Sequence, residues 1–247
     1  MLSIFKKKTA GTVDLSELGT DMHSHLLPGI DDGSPDAETS LKLIQGLQDL
    51  GYRRLVTTPH VMWDIYRNDA ESIAAAHAVL QKATPVVPAA LPLRTAAEYF
   101  LDDHFDELIE QNVPLLTIKD NWVLVEFSFV TAPMNYKEKI FELQIKGYQP
   151  VLAHPERYNY FMNNKDVFDE LRTAGCLFQL NILSLTGYYG KGPQDLSRHF
   201  IKKKWVSLLG TDLHHDRHLK ALQTAPALTD SVKSILDSGT VLNHTIE

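Results

Sequence analysis

Short apolar, β-prone runs recur along the chain, and each closes on polar residues before a stretch whose apolar positions follow helical spacing. The first run ends in Asp21-Met22-His23-Ser24-His25. The second, Arg54-Leu55-Val56-Thr57-Thr58, closes on Pro59-His60, and the third, Leu91 to Ala97, closes on Glu98. Four more follow: Trp122-Val123-Leu124-Val125 before Glu126, Pro150-Val151-Leu152-Ala153 before His154, Leu177-Phe178-Gln179-Leu180 before Asn181, and Trp205 to Leu209 before Gly210-Thr211-Asp212-Leu213-His214. Helices are predicted between them at 36–50, 70–83, 101–112, 134–147, 164–174 and 194–204, with two closing helices in 218–238. The first has a start signal in Ser34-Pro35-Asp36 and a stop at Gly51; Gly147 and Gly175 stop two others. Seven strand–helix units describe an α/β chain.

A length of 247 residues suits one domain, and α/β barrels of this size commonly stay undivided. Residues 1–18 read as a lead-in packed on the outside, anchored by Phe5, Val13, Leu15 and Leu18, and residues 19–247 as a single domain. With 44% hydrophobic and 22% charged residues, neither disorder nor membrane immersion is indicated. A net charge of -7 argues against a general nucleic-acid binder, since phosphate-backbone affinity comes from clustered Lys and Arg. Lys6-Lys7-Lys8 and Lys202-Lys203-Lys204 are short basic runs of a solvated surface.

The single cysteine, Cys176, excludes an intrachain disulfide and suits a reducing compartment. It also excludes a cysteine-dependent phosphatase, whose loop needs an arginine where this chain has Ile182; Cys176 reads as a small buried hydrophobe. The N-terminus has no apolar stretch long enough for a signal peptide or a membrane span, so no membrane insertion and a cytoplasmic location are expected.

The chemistry collects at one point of the strand–helix cycle. In a β/α barrel the C-terminal strand ends converge on one mouth. Here those ends carry His23, His25, His60, Glu98, Glu126, His154, Asp212 and His214, with Asp32 in the first connecting loop. In an extended segment His23 and His25 face the same way, as a metal pair requires. Nine candidate ligands exceed the needs of one tetrahedral zinc ion, and four carboxylates in one cavity need compensating charge. Two or three divalent cations, with a carboxylate such as Glu98 bridging, would supply it and make the mouth attractive to a phosphate ester.

Asp21-Met22-His23-Ser24-His25, the Asp31-Asp32-Gly33 turn, Thr58-Pro59-His60, Ala97-Glu98, Val125-Glu126-Phe127, Ala153-His154-Pro155-Glu156-Arg157-Tyr158 and Thr211-Asp212-Leu213-His214 together resemble the polymerase-and-histidinol-phosphatase (PHP) superfamily. Within it, residues 19–215 are most similar to the bacterial tyrosine-protein phosphatases of capsular and exopolysaccharide synthesis. The resemblance implies a distorted (β/α)7 TIM-like barrel and a trinuclear site of manganese or iron, with zinc or magnesium as alternatives. It implies that His23, His25, Glu98 and Asp212 hold one ion, Glu98, Glu126 and His154 a second, and Asp32, His60 and His214 a third. Arg157 is then expected to hold substrate phosphate. Arg217 is a second candidate for that role, although the chain is shorter between His214 and Arg217 than the family pattern.

The implied activity is hydrolysis of phosphotyrosine by a metal-held hydroxide, with a phosphotyrosyl protein as substrate, expected to be the tail of a bacterial tyrosine kinase. A histidinol-phosphate phosphatase or other small-molecule phosphomonoesterase on the same fold ranks second; Asp32 stands where that branch usually has histidine. A metal-dependent nuclease fits the acidic charge poorly, and a non-catalytic metal-binding module would be expected to have lost ligands. The aromatics of the loop after His60, Val61 to Arg67, either receive a tyrosine ring or cover the barrel. General acid, physiological phosphoprotein, metal identity and oligomeric state are not legible in the sequence.

Overall fold

The structure is a computed structural model and describes residues 12–83 and 91–246. Among the described residues nine strands form: β1 (Thr20–Asp21), β2 (Arg54–Thr57), β3 (His60–Val61), β4 (Leu93–Thr95), β5 (Glu98–Phe100), β6 (Trp122–Glu126), β7 (Gln149–Ala153), β8 (Leu177–Asn181) and β9 (Val206–Gly210). They pair in parallel as a three-stranded sheet, β1-β2-β4, and a six-stranded sheet, β3-β5-β6-β7-β8-β9.

Two of the seven predicted runs, 54–58 and 91–97, are therefore each followed by a second short strand that begins on the closing residue, His60 or Glu98. Pro59 has no N–H to donate and interrupts the second run, so β2 ends at Thr57 and β3 begins at His60. Beside it the third run breaks after Thr95, where the Ala96 N–H bonds Thr57 O (2.9 Å) and the Glu98 N–H bonds Pro59 O (3.0 Å). The two strands thus step from one sheet to the other together. At the far edge the segments that follow β1 and β9 meet: the Asp212 N–H donates to His23 O (2.8 Å), and the His25 N–H to Leu213 O (2.9 Å). Asp21 fixes that meeting by accepting from Thr211 N–H (2.9 Å) and Thr211 Oγ1 (2.6 Å).

The helices are α1 (Ala37–Asp49), α2 (Ala70–Ala83), α3 (Asp103–Glu110), α4 (Tyr136–Ile145), α5 (Asp166–Thr173), α6 (Lys191–Lys203), α7 (Asp216–Gln223) and α8 (Ala227–Leu236). Asp36 caps α1 by accepting from Thr39 N–H, and Asp102 caps α3 by accepting from Phe105 N–H. α6 begins three residues ahead of the expected 194, because Pro193 is tolerated in a first turn whose N–H groups need no intrahelical partner. α7 starts early because the His215 ring caps it, accepting from His218 N–H.

Both faces of the central strands are covered: Pro150 to Ala153 of β7 are all buried, as parallel strands under helices should be. Met22, Val56, Ala96, Leu124, Val151 and Leu208, one from each of several segments, form a separate cluster with Ile118, Ala153 and Ile246. A larger cluster fills the space toward the helices. Of the lead-in anchors, Val13, Leu15 and Leu18 belong to that larger cluster, whereas Phe5 lies outside the described residues. Among the described residues no helix is long and apolar enough to cross a membrane.

Candidate metal centre

The strand ends bring the nine sequence-predicted donors into three overlapping groups, in each of which one atom per residue lies within 4.8 Å of the others: His25, Asp32, His60 and His214; His23, Glu98, His154 and Asp212; and His60, Glu98 and Glu126. Glu98, at the first position of β5, is central. Its Oε2 faces His23 Nε2 (3.2 Å), His25 Nε2 (3.3 Å) and His60 Nδ1 (3.3 Å), while Oε1 faces His154 Nε2 (3.1 Å). His154 thus stands with His23 and Asp212, and His60 is the residue that joins Glu98 to Glu126. Asp32, more than half exposed, approaches His60 Nε2 (3.6 Å) and His214 Nε2 (3.5 Å) from the rim.

Three imidazoles are oriented from behind. His23 Nδ1 lies 2.8 Å from Gln179 Oε1, His25 Nδ1 lies 2.8 Å from Asp31 Oδ2, and His214 Nδ1 lies 2.9 Å from the Asp212 carbonyl oxygen. Each partner is an acceptor, so each Nδ1 donates to it and each Nε2 is the ring atom turned toward the basin. That is the arrangement found behind metal-binding histidines. Gln179 also accepts from His154 N–H (3.1 Å), which joins the β1 and β7 ends through one side chain.

Electrostatics agree with a cation site. Burial opposes a charge on His25, yet Asp31, Asp212 and Glu98 outweigh it and raise its pKa well above the ordinary value. His60 is likewise pushed up to about 9, where burial is overcome by Glu126 and Glu98. Burial alone would raise Glu98 and Asp212, but the surrounding histidines hold both carboxyls well below their usual range. His154 moves down, through burial and then the nearby Arg157 charge.

The residues fit a metal. His60 Nδ1 and Glu126 Oε1 approach to 2.9 Å without hydrogen-bond alignment, and both are buried without a hydrogen-bond partner. His23 Nε2 and His25 Nε2 also lie only 3.4 Å apart. Atoms so placed converge on common points rather than on one another, and divalent cations satisfy them. Backbone strain coincides with the site: His154 (φ 32°) and Asp212 (φ 51°) occupy the left-handed region, which costs a residue other than glycine of order 1–3 kcal/mol.

Arg157 follows His154 and reaches back across the basin, its Nη1 donating to Asp212 Oδ2 (2.6 Å). Asn181 Nδ2 donates to the same oxygen (3.0 Å). The guanidinium carbon lies 4.5 Å from the Phe129 ring centroid and 4.3 Å from that of Tyr189. Arg217 sits exposed in the first turn of α7.

The chain resembles known proteins over most of its length. The family model described as capsular polysaccharide synthesis, CpsB/CapC, matches residues 19–238. The chain belongs to that family. Membership bears out the capsule-synthesis resemblance carried by Asp21–His25 and its companion motifs. The tyrosine-protein phosphatase YwqE of Bacillus subtilis (strain 168) is 28% identical to this CpsB/CapC-family chain over 199 residues, covering 79% of this chain and 77% of YwqE. The tyrosine-protein phosphatase CpsB of Streptococcus pneumoniae is 28% identical over 201 residues, covering 79% and 82%. A solved structure from work on YwqE and CpsB, described there as metal-dependent tyrosine phosphatases, superposes with a TM-score of 0.78 and 25% identity, covering 92% of this chain and 90% of its own.

Asp31, Gln179, Asn181, Phe129 and Tyr189 were not among the residues predicted for the site. Asp31 could have been singled out, because an Asp-Asp pair offers two carboxylates six and seven residues after His25; for the others the sequence carries no local signal. In the loop after His60, the Trp63 ring stacks on His104 of α3 (3.8 Å between centroids), and the Trp63 backbone N–H donates to Asp102 Oδ2 (3.0 Å). Tyr66 instead lies parallel to the His60 ring (5.7 Å, 13°).

Proposed function

We propose that this CpsB/CapC-family protein is a metal-dependent protein-tyrosine phosphatase, held on a distorted (β/α)7 barrel in which the two sheets and the junction of β9 with the first strand close the ring. The observation that carries the reading is Glu98: one buried carboxylate facing four imidazoles and shared by two of the three donor groups. Two or three divalent ions, manganese or iron first, are proposed here, with His23, Glu98, His154 and Asp212 around one, His60, Glu98 and Glu126 around another, and His25, Asp32, His60 and His214 around a third. Such ions would acidify bound water toward a pKa of about 7 and supply positive charge to a phosphoryl group.

The chain's own residues do the rest. Gln179, Asp31 and the Asp212 carbonyl hold three imidazoles in the tautomer that presents Nε2. Arg157, with one nitrogen tied to Asp212, presents a fixed guanidinium to the equatorial oxygens of the transferred phosphoryl group, where charge compensation dominates the barrier. A phenolate leaves with a pKa of about 10, so demand for a strong general acid is modest and none is assigned. Arg217, exposed in the first turn of α7, is kept as a second candidate phosphate contact. The phosphotyrosyl substrate is proposed to be a tyrosine kinase of capsular or exopolysaccharide synthesis, met in the cytoplasm.

The test compares one enzyme preparation on two substrates. After chelation and reconstitution with manganese or iron, kcat/KM for a phosphotyrosyl peptide should exceed that for histidinol phosphate, and activity should vanish on chelation and return with metal. Undiminished activity after exhaustive chelation would refute the metal reading, and a preference for histidinol phosphate would replace the substrate.

A further inference from the structure

Phe129 combines two properties that ordinarily exclude each other. It is 48% exposed, beside the still more exposed Val130, yet its ring packs on three groups of the site. It stacks on His154 (5.4 Å, 29°), leans on Tyr158 (5.9 Å, 37°) and lies 4.5 Å from the Arg157 guanidinium carbon. An aromatic ring placed only to steady Arg157 has no need of so much free surface, and the half-buried Tyr189 already lies against the same guanidinium.

The other aromatic rings near the basin are placed differently. Trp63 is engaged with His104, and Tyr66 covers His60, which faces the opposite oxygen of Glu98 from His154. Phe129 therefore offers an open ring surface adjoining both a candidate ligand and the candidate phosphate-holding arginine. In a phosphate monoester of tyrosine the arene begins one ester oxygen from phosphorus. With phosphate at Arg157, a ring surface beside Arg157 is where that arene can rest.

Resting on the phosphatase reading above, we propose that Phe129 is the platform for the substrate's aromatic ring and sets the preference for aryl over alkyl phosphate esters. Aromatic pairs at centroid separations of about 4.5–7 Å contribute modestly beyond area burial, so the effect is a specificity shift of about 3- to 10-fold and not a loss of chemistry.

The experiment measures inhibition constants for two non-hydrolysable phosphonates on the metal-loaded protein: a peptide containing phosphonomethylphenylalanine and methylphosphonate. The anionic heads are alike, so contributions from metal and Arg157 largely cancel in their ratio. Phe129→Leu should weaken the aryl ligand about 3- to 10-fold while methylphosphonate stays within about twofold, and Phe129→Tyr, which keeps the ring, should restore the wild-type ratio. If Phe129→Leu weakens both ligands equally, or neither, the platform is wrong. Failure of the wild-type protein to hydrolyse a phosphotyrosyl peptide at all would instead remove the phosphatase reading beneath it, and the proposal with it.

Discussion

Replacing Asp31 by Asn tests whether a carboxylate behind the imidazole orients His25 for a metal ion. Asp31 Oδ2 accepts from His25 Nδ1 (2.8 Å) and from His60 N–H (3.2 Å), and Oδ1 accepts from Gly33 N–H (2.9 Å). Burial would raise its pKa, but the His25 charge prevails and holds it down. An Asn side chain of the same shape has one oxygen. With that oxygen toward Gly33, its NH2 opposes the Nδ1 proton of His25, and relief requires the imidazole to move that proton to Nε2, the atom that faces the basin. With the oxygen toward His25, the NH2 opposes Gly33 N–H and the negative charge behind the imidazole is gone. Loss of such a partner behind a metal-binding histidine typically costs 10–100-fold in metal affinity, about 1.4–2.7 kcal/mol.

Titration calorimetry with manganese or iron on the chelated protein reads this directly. Thermal midpoints of the metal-free forms separate weakened binding from weakened folding. The expected outcome is a 10–100-fold weaker site with unchanged stoichiometry at saturation, roughly the loss expected of an outer partner. Unchanged affinity would refute the orienting role. Loss of one whole equivalent of metal at saturation would refute it the other way, by making Asp31 itself a ligand.

Glu98→Gln removes the charge shared by two donor groups, so metal content should fall by more than one equivalent on elemental analysis and kcat/KM by at least about 10²–10³-fold. Gly210→Ala sets a Cβ 2.7 Å from His23 Cβ and 2.9 Å from Gln179 Nε2; overpacking of this kind costs about 1–3 kcal/mol, read as a lower thermal midpoint together with weaker metal binding. Cys176 is buried and its thiol is pushed up to about 12 from 9.0. Because the folded pKa is raised, burial of the neutral thiol stabilises fully below pH 9 and loses that contribution as pH climbs toward 12. At pH 8 the native thiolate population should be about 10³-fold below that of the unfolded chain, so iodoacetamide should label only after unfolding, and rapid native labelling would contradict the burial.

How much of this was legible depended on where information is stored. Among the described residues periodicity located each of α1 to α8, because an amphipathic face and a capping residue such as Asp36 are local properties. The seven apolar runs were likewise local, but their division between two sheets was not: the Thr57–Ala96 and Pro59–Glu98 pairings that move both strands across are contacts between distant segments. The donors at strand ends could be named one by one because parallel topology fixes which end of each strand meets its neighbours. Their grouping could not. Whether His154 stands with Glu126 or with His23 depends on the left-handed turn at His154 and on Gln179, which binds His23 and His154 at once. Phe129 and Tyr189 were invisible for a further reason: an aromatic ring on a loop has the same sequence signature whether it covers a core or flanks an arginine.

The same contacts that bring the first and last strands together also position the candidate ligands, which would tie folding to metal binding. Asp212 presents its carboxylate from a left-handed residue whose N–H is bonded to His23 O, while Asp21 grips Thr211 one position earlier. Without cations, that geometry holds together buried carboxylates whose charge is countered by the surrounding histidines, His23, His25 and His60 among them, and by Arg157. A divalent ion held there would exchange the histidine protons for a stronger positive charge and satisfy the atoms that have no hydrogen-bond partner, so binding energy would become folding energy. Strain at His154 and Asp212 is then the expected companion of a basin whose donors must point where the backbone alone would not send them.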